Sequence, residues 1–184
     1  MTSSPFQDSF APLLLHGHDV DPASLLPSAA ALQAELLAGP LETRDGRRAW
    51  FEVGDGAAAA CAFVRASTEV AGRVVIGYSQ GAAVAFALGC DGEPAPAGVV
   101  TVAGFVADDV NPADFKSQYL LVVHADDDEV VDPFYAGLLA RQAAKSGAHV
   151  TQASYEGGHV WTDAVTVVVR EWLQSLDRTS TGCP

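Results

Sequence analysis

The segment Gly77–Gly81, which reads Gly-Tyr-Ser-Gln-Gly, places a serine between two glycines at a spacing that suits nucleophilic catalysis. It follows a β-branched run, Val74–Ile76, that is typical of a buried strand, and it precedes Ala82–Leu88, which has the composition of a helix. In this context the pattern predicts a sharp strand-to-helix turn with Ser79 at its tip, where free N–H groups of the helix favour developing negative charge. The alternative is an ordinary strand–helix turn flanked by glycines.

A serine that hydrolyses an ester also needs a base, and an acidic group that orients the base. His159 follows two glycines and is the expected base, since the order Ser…Asp…His is then complete. The acid is expected from the run Asp126–Glu129, with Asp132 close behind. A metal ion bound by this run is the alternative, but neighbouring side chains diverge and no matching ligands appear elsewhere, so we expect neither a metal nor an organic cofactor.

Other residues near the predicted strand ends are candidates for binding the substrate. The backbone N–H groups of Gln80 and His18 are the expected donors to the oxyanion. Trp50 and Phe51 are either core anchors or a wall of the substrate cleft, and Phe105 is a further candidate for substrate binding. His16 and His124 are predicted to form structural hydrogen bonds instead.

The elements that must position these residues alternate between strands and helices. Apolar runs predict strands at 13–15, 74–76, 98–103, 119–123 and 148–155, and helical spacing predicts helices at 22–37, 57–68, 82–88, 133–145 and 160–176. This alternation predicts an α/β fold with a mostly parallel, doubly wound sheet. Because ligands bind beyond the carboxyl ends of parallel strands, the candidate residues should meet at one edge of the sheet.

Composition limits the function further. The chain has 184 residues, which predicts a single domain with a core at about 12–176 and a polar tail at 177–184. Its net charge of −13 argues against nucleic acids and anionic membrane surfaces as partners. The start has no signal-peptide pattern, and no apolar stretch reaches the ~20 residues of a spanning helix. Three widely spaced cysteines, Cys61, Cys90 and Cys183, favour reduced thiols and a cytoplasmic location.

Several motifs together resemble the α/β-hydrolase fold and, within it, the phospholipase/carboxylesterase family, which includes acyl-protein thioesterases. They are Leu-Leu-Leu-His-Gly, Arg-Arg-Ala-Trp-Phe, Gly-Tyr-Ser-Gln-Gly, His-Ala-Asp-Asp-Asp-Glu-Val-Val-Asp-Pro and Gly-Gly-His, spread from about 12 to 176. The family has His-Gly, two residues and then the acid, so aligning His124 with that histidine implies that Asp128 orients His159. The resemblance implies a small-molecule ester as the substrate.

Two departures from the family pattern carry expectations of their own. The chain begins at the third strand of the full fold, so about six strands should remain, with an exposed edge that invites pairing as a homodimer. The segment after Phe105 is short, which leaves little room for a lid and implies short acyl groups. The alternatives are a lysophospholipase or acyl-protein thioesterase and, in another class, a catalytically silent relative that serves as a binding protein.

Overall fold

A computed structural model describes residues 11–92 and 94–181 of the chain. The strands are β1 (Leu13–Leu15), β2 (Glu35–Leu37), β3 (Leu41–Glu42), β4 (Arg48–Ala49), β5 (Val74–Tyr78), β6 (Gly98–Val102), β7 (Tyr119–Ala125) and β8 (His149–Tyr155). The α-helices are α1 (Leu26–Ala31), α2 (Ala58–Ser67), α3 (Gln80–Cys90), α4 (Phe134–Lys145) and α5 (Asp163–Thr181). Short 3₁₀ helices span Pro22–Leu25, Arg44–Gly46 and Pro112–Asp114.

Six strands form one parallel sheet in the order β2-β1-β5-β6-β7-β8, which confirms the predicted α/β architecture. Strand β5 leads into the turn that carries Ser79, Gly77–Gly81, which we call the elbow, and it lies inside the sheet between β1 and β6. The short strands β3 and β4 pair separately as an antiparallel hairpin. A parallel sheet brings the carboxyl ends of its strands to one edge, so the residues that follow β1, β5, β6, β7 and β8 share that edge.

Helices cover both faces of the sheet, which explains why its inner strands β1, β5, β6 and β7 are nearly continuous buried runs. Side chains alternate along each strand, so Val75, Val99 and Leu120 enter the core layer that contains α2, α3 and α4. Ile76 and Val100 enter the other layer, which contains α1 and α5. Among the described residues, none of the helices has the length and apolar composition needed to cross a bilayer.

Helix α3, which follows the elbow, lies in the centre of the first layer, and every one of its residues is buried. Glycines permit this close packing. A Cβ atom on Gly77 would collide with the backbone carbonyl of Gly81, and a Cβ on Gly81 would collide with the carbonyl oxygens of His16 and Leu15. The two glycines of the pentapeptide are therefore required by the approach of strand to helix.

The structure differs from the predicted helix at 22–37. A 3₁₀ turn and the short helix α1 occupy 22–31, Gln33 adopts a φ of 52°, and 35–37 form the edge strand β2. Strand β2 pairs in register with β1, with Leu36 opposite Leu14, so pairing along the sheet overrides the helical spacing of the leucines. Helix α5 also continues past the predicted end at 176, to Thr181, and 182–184, including Cys183, lie outside the described residues.

Candidate active site

Ser79 occupies the tip of the turn between β5 and α3 in a strained backbone conformation. Its φ of 54° and ψ of −116° lie in a backbone region that residues other than glycine rarely adopt. The Ser79 N–H donates to the carbonyl of Val102, at a distance of 2.8 Å, and this bond ties the turn to the end of β6. The strain turns the Ser79 side chain out of the sheet edge, where it is half-buried.

His159 lies between Ser79 and Asp128. Its Nε2 is 2.8 Å from the Ser79 Oγ, and its Nδ1 is 2.8 Å from the Asp128 Oδ2. An ionised carboxylate only accepts hydrogen bonds, so the Nδ1 carries the proton and the Nε2 is free to accept one from Ser79. The structure therefore joins three of the predicted residues, from loops that are far apart in sequence, in one chain of hydrogen bonds.

Asp128 is held in place from both sides of its carboxylate. Its Oδ1 accepts hydrogen bonds from the N–H groups of Val130 and Val131, both at 2.9 Å, and its side chain is fully buried. Burial alone would raise the pKa of Asp128, but the N–H of Val131, the imidazole of His159 and the N–H of Val130 outweigh it and lower the pKa below its ordinary value. Asp128 is thus an anion at neutral pH, aimed at the imidazole.

His124 supports the same loop, as expected of a structural residue. Its Nε2 donates to the carbonyl of Val131 at 3.0 Å and lies 3.4 Å from the Asp128 Oδ2. Among the described residues its Nδ1 has no hydrogen-bond partner. His124 therefore braces the segment that presents Asp128.

The segment after β1 lies directly against the nucleophile. A Cβ atom built on Gly17 would come within 3.3 Å of the Ser79 Cβ, so this glycine permits the loop to approach the elbow. His16 is fully buried, accepts a hydrogen bond from the Gly39 N–H at 2.8 Å and donates to the Gly17 carbonyl at 2.7 Å. Burial lowers the pKa of His16, so its ring stays neutral as a structural group. His18, two residues after His16 in the same loop, is exposed.

Trp50 and Phe51 belong to the core. They are 1% and 6% exposed, and the Trp50 indole N–H donates to the His16 carbonyl at 2.8 Å. This burial matches the core-anchor interpretation, and Trp50 and Phe51 do not form an exposed wall of a substrate cleft. The buried Gln80 side chain explains their position, because its amide accepts from the Trp50 N–H and donates to the Phe51 carbonyl, at 2.8 and 2.7 Å.

Phe105 follows β6 at the same sheet edge and is half-buried. Its ring meets the ring of Tyr135 edge to face, with the centroids 6.4 Å apart, and Tyr135 meets the exposed Phe134 in the same way at 6.1 Å. The neighbouring Gly104 packs against Ala82 in the first turn of α3. An aromatic surface thus begins beside the elbow and extends over the start of α4.

The acidic run spreads its side chains in different directions, as expected of consecutive loop residues. Asp126 and Glu129 are exposed, and Asp127 accepts hydrogen bonds from the N–H groups of Gly157 and Gly158. Within the residues that the structure describes, no group of three or more His, Cys, Asp or Glu side chains is arranged to hold a metal ion.

Sequence reasoning missed two contacts around His159. The Tyr78 hydroxyl donates to the His159 carbonyl at 2.8 Å, and the two rings contact each other at a tilt of 32° with centroids 5.4 Å apart. The bonds from Gly157 and Gly158 to Asp127 are the second omission. Tyr78 stands in a variable position of the pentapeptide and Asp127 in a run that reads as solvated, so neither carries a local signal of its contact.

Comparison with known proteins supports the resemblance. The phospholipase/carboxylesterase family profile matches residues 64–176, more than half of the chain. No curated protein matches the sequence.

Among solved structures, a carboxylesterase from Bacillus cereus superposes with a TM-score of 0.72 at 20% identity, over 90% of this chain and 88% of the other. SOBER1 from Arabidopsis thaliana gives 0.70 at 20% identity, over 91% and 99%. A carboxylesterase from Mesorhizobium loti gives 0.70 at 24% identity, over 90% and 89%. At these identities the structural likeness shows the α/β-hydrolase fold. The match to the family profile goes further: this chain belongs to the phospholipase/carboxylesterase family and is a carboxylic ester hydrolase.

Proposed function

We propose that the chain hydrolyses short-chain carboxylic esters through an acyl-enzyme on Ser79, with His159 as the base and Asp128 as the acid that orients it. The observation that carries this proposal is the unbroken chain of bonds from the Ser79 Oγ through the imidazole to a buried, ionised carboxylate. Such an arrangement activates a serine and stabilises the imidazolium that forms when its proton is transferred.

The reaction proceeds in two balanced halves. The Ser79 Oγ attacks the carbonyl carbon of the ester while its proton moves to the His159 Nε2. The tetrahedral intermediate then collapses, the bond to the alcohol oxygen breaks, and His159 returns the proton to the leaving alcohol. Water then attacks the acyl-enzyme and loses a proton to His159. When the second tetrahedral intermediate collapses, the bond to the Ser79 Oγ breaks, His159 returns the proton to that oxygen, and the carboxylic acid leaves.

In both halves of the reaction, backbone N–H groups donate hydrogen bonds to the oxyanion. Gln80 is the first residue of α3, where N–H groups have no acceptor within the helix and the helix dipole favours negative charge. We assign the first donor to Gln80 and the second to His18, which follows Gly17 in the loop where an added Cβ would crowd Ser79. The buried Gln80 side chain fixes the start of α3 and so keeps its N–H in position without reorganisation.

The preference for short acyl groups follows from the surface beside the elbow. Only a loop and one 3₁₀ turn separate the end of β6 from β7, so no helical lid is built from this segment. Phe105 supplies an apolar wall, and its contact with Tyr135 extends that wall to α4. A shallow wall of this kind contacts a short acyl chain and leaves the distal part of a long chain in water.

Two measurements test the proposal. Ser79→Ala should lose turnover of p-nitrophenyl butyrate and labelling by a fluorophosphonate probe, with its unfolding temperature close to that of the wild type. The wild type should show kcat/KM falling from butyrate to palmitate esters. Turnover by Ser79→Ala at the wild-type level would overturn the mechanism, and a rate that climbs steadily toward palmitate would favour a lysophospholipase or acyl-protein thioesterase. Failure of the wild type to label would favour a silent binding protein.

We also propose that the protein is cytoplasmic and that it forms a homodimer. Cys61 and Cys90 are free and buried, and burial raises the pKa of each thiol to about 12, which suits a reducing compartment. Strand β2 has no further strand beside it within the described residues, which supports pairing between two copies at this edge. Sedimentation of the purified protein would distinguish a dimer from a monomer.

A further inference from the structure

The loop 156–160 carries His159 between β8 and α5 without regular secondary structure. Two of its residues, Gly157 and Gly158, adopt φ values of 132° and 65°, which other residues rarely accept. The position of the imidazole therefore depends on what holds this loop, because no helix or strand fixes its backbone.

On one side the loop is held through its carbonyl groups. The Tyr78 hydroxyl donates to the His159 carbonyl at 2.8 Å. The Tyr155 hydroxyl lies 3.2 Å from the Gly158 carbonyl and 3.1 Å from the Val160 carbonyl and donates to one of them. Burial raises the pKa of Tyr78 to about 12 and raises the pKa of Tyr155, so both remain donors.

On the other side the loop is held through its N–H groups by one carboxylate. The Asp127 Oδ1 accepts from the Gly158 N–H at 3.0 Å and from the Gly157 N–H at 3.2 Å. These hydrogen bonds, the one from Gly158 first, lower the pKa of Asp127 below its ordinary value, so the side chain is charged at neutral pH. Two N–H groups on an ionised oxygen form stronger bonds than they would to a neutral acceptor.

Asp127 and Asp128, which are consecutive in sequence, thus hold His159 through different groups. Asp128 bonds the imidazole, and Asp127 bonds the backbone that carries it. The other exposed acids of the run, Asp126 and Glu129, have no hydrogen bond to this loop within the part of the chain that the structure describes. The contact is specific to Asp127 and does not follow from its charge alone.

We propose that Asp127 is a positioning residue, which sets the distance between His159 and Ser79 by fixing the N–H groups of Gly157 and Gly158. The proposal rests on the function proposed above. Asp127 touches no reacting atom; it acts by holding the imidazole within hydrogen-bond reach of both the nucleophile and Asp128. A displacement of about 1 Å at a catalytic group costs on the order of 100-fold in rate.

Three variants test the proposal, with kcat and KM measured separately on p-nitrophenyl butyrate. Asp127→Ala should lower kcat by about 10- to 100-fold and leave KM within about threefold, because substrate contacts are untouched. Asp127→Asn keeps an acceptor oxygen, so its kcat should lie within about tenfold of the wild type and several-fold above that of Asp127→Ala. Asp126→Ala, the matched loss of a neighbouring exposed acid, should stay within about twofold.

A spectroscopic readout separates this proposal from the mechanism on which it rests. The His159 Nδ1 proton, hydrogen-bonded to Asp128, should give a low-field proton resonance, assigned by its loss in His159→Gln. Asp127→Ala should shift or broaden it, and Asp126→Ala should leave it unchanged.

A wild-type resonance and kcat in Asp127→Ala, or a loss confined to KM, would overturn the positioning role. Equal defects in Asp127→Ala and Asp127→Asn would do the same. Persistence of turnover in Ser79→Ala overturns the mechanism instead, while the resonance still reports whether Asp127 positions the ring.

Discussion

Replacing Asp128 by asparagine should be the most damaging change in the acidic run, and the structure explains why. In the wild type one carboxylate oxygen accepts from Val130 and Val131, and the other accepts from His159. An asparagine keeps one oxygen, which satisfies the two backbone donors best. Its NH₂ group then faces the His159 Nδ1 and requires that nitrogen to accept, which moves the ring proton to the Nε2, where it blocks transfer from Ser79.

The cost of restoring the active tautomer can be estimated from these contacts. Turning the asparagine so that its oxygen faces His159 leaves the NH₂ group against two backbone N–H groups. Each buried donor without an acceptor costs about 1–3 kcal/mol, so the active arrangement lies about 2–6 kcal/mol higher. At about 1.4 kcal/mol for each factor of ten, the active fraction falls by about 30-fold to 10⁴-fold. Loss of the anion that stabilises the imidazolium adds to this, so a fall in kcat on the order of 10⁴ is expected.

The assay is steady-state hydrolysis of p-nitrophenyl butyrate by Asp128→Asn and by the matched variants Asp126→Asn and Glu129→Gln. The controls should each lose less than about tenfold, because exposed charges contribute little individually. Circular dichroism would establish that the variants fold. Activity of Asp128→Asn within tenfold of the wild type would refute the tautomer argument. A severe loss in Asp126→Asn would show that Asp128 is not the acid that orients His159.

Three further predictions concern the surrounding structure. Gly77→Ala should prevent folding to a soluble protein that the fluorophosphonate probe labels, because the added methyl group collides with the backbone of Gly81. Normal expression and probe labelling would contradict this. In urea titrations the wild type should lose stability between pH 7 and pH 5, and His16→Asn should lose less. Burial lowers the pKa of His16, so its contribution to the free energy of unfolding is fully present above about pH 6.5. Below that pH the contribution falls, because the unfolded chain takes up the proton. An unchanged pH dependence would exclude His16 as its source. Tyr78→Phe should lower kcat by about fivefold through loss of one hydrogen bond to the His159 carbonyl, and a wild-type kcat would mean that the contact between the two rings suffices.

The order of elements and the family were predictable from sequence because their signals are local. The apolar runs of β5, β6 and β7 have no competing interpretation, and the pentapeptide around Ser79 requires a strand before it and a helix after it. The segment 35–37 was mispredicted because leucines at helical spacing also fit a strand, and only the neighbouring β1 decides between them.

The contacts of individual side chains were less predictable. The sequence allows Trp50 to be either a core residue or a cleft residue. The hydrogen bond from its N–H to the Gln80 amide, which is visible only in the folded structure, decides between them. The bond from Asp127 to the His159 loop joins residues about 30 positions apart, and nothing in the local composition of either segment announces it. Motifs therefore located the candidate nucleophile, base and acid, while the groups that hold them in place depend on tertiary contacts.

The burial of α3 and the side-chain anchoring of the loop 156–160 imply very different rates of amide hydrogen exchange on the two sides of the site. Past the first turn of α3 the amides are hydrogen-bonded within a helix whose residues are all buried, so their hydrogens exchange only when the whole structure opens. The Gly157 and Gly158 amides are protected by one exposed carboxylate and can exchange through a local opening. On warming, the base would therefore leave its place before the nucleophile does, and enzymatic activity would disappear at a temperature at which the sheet is still intact.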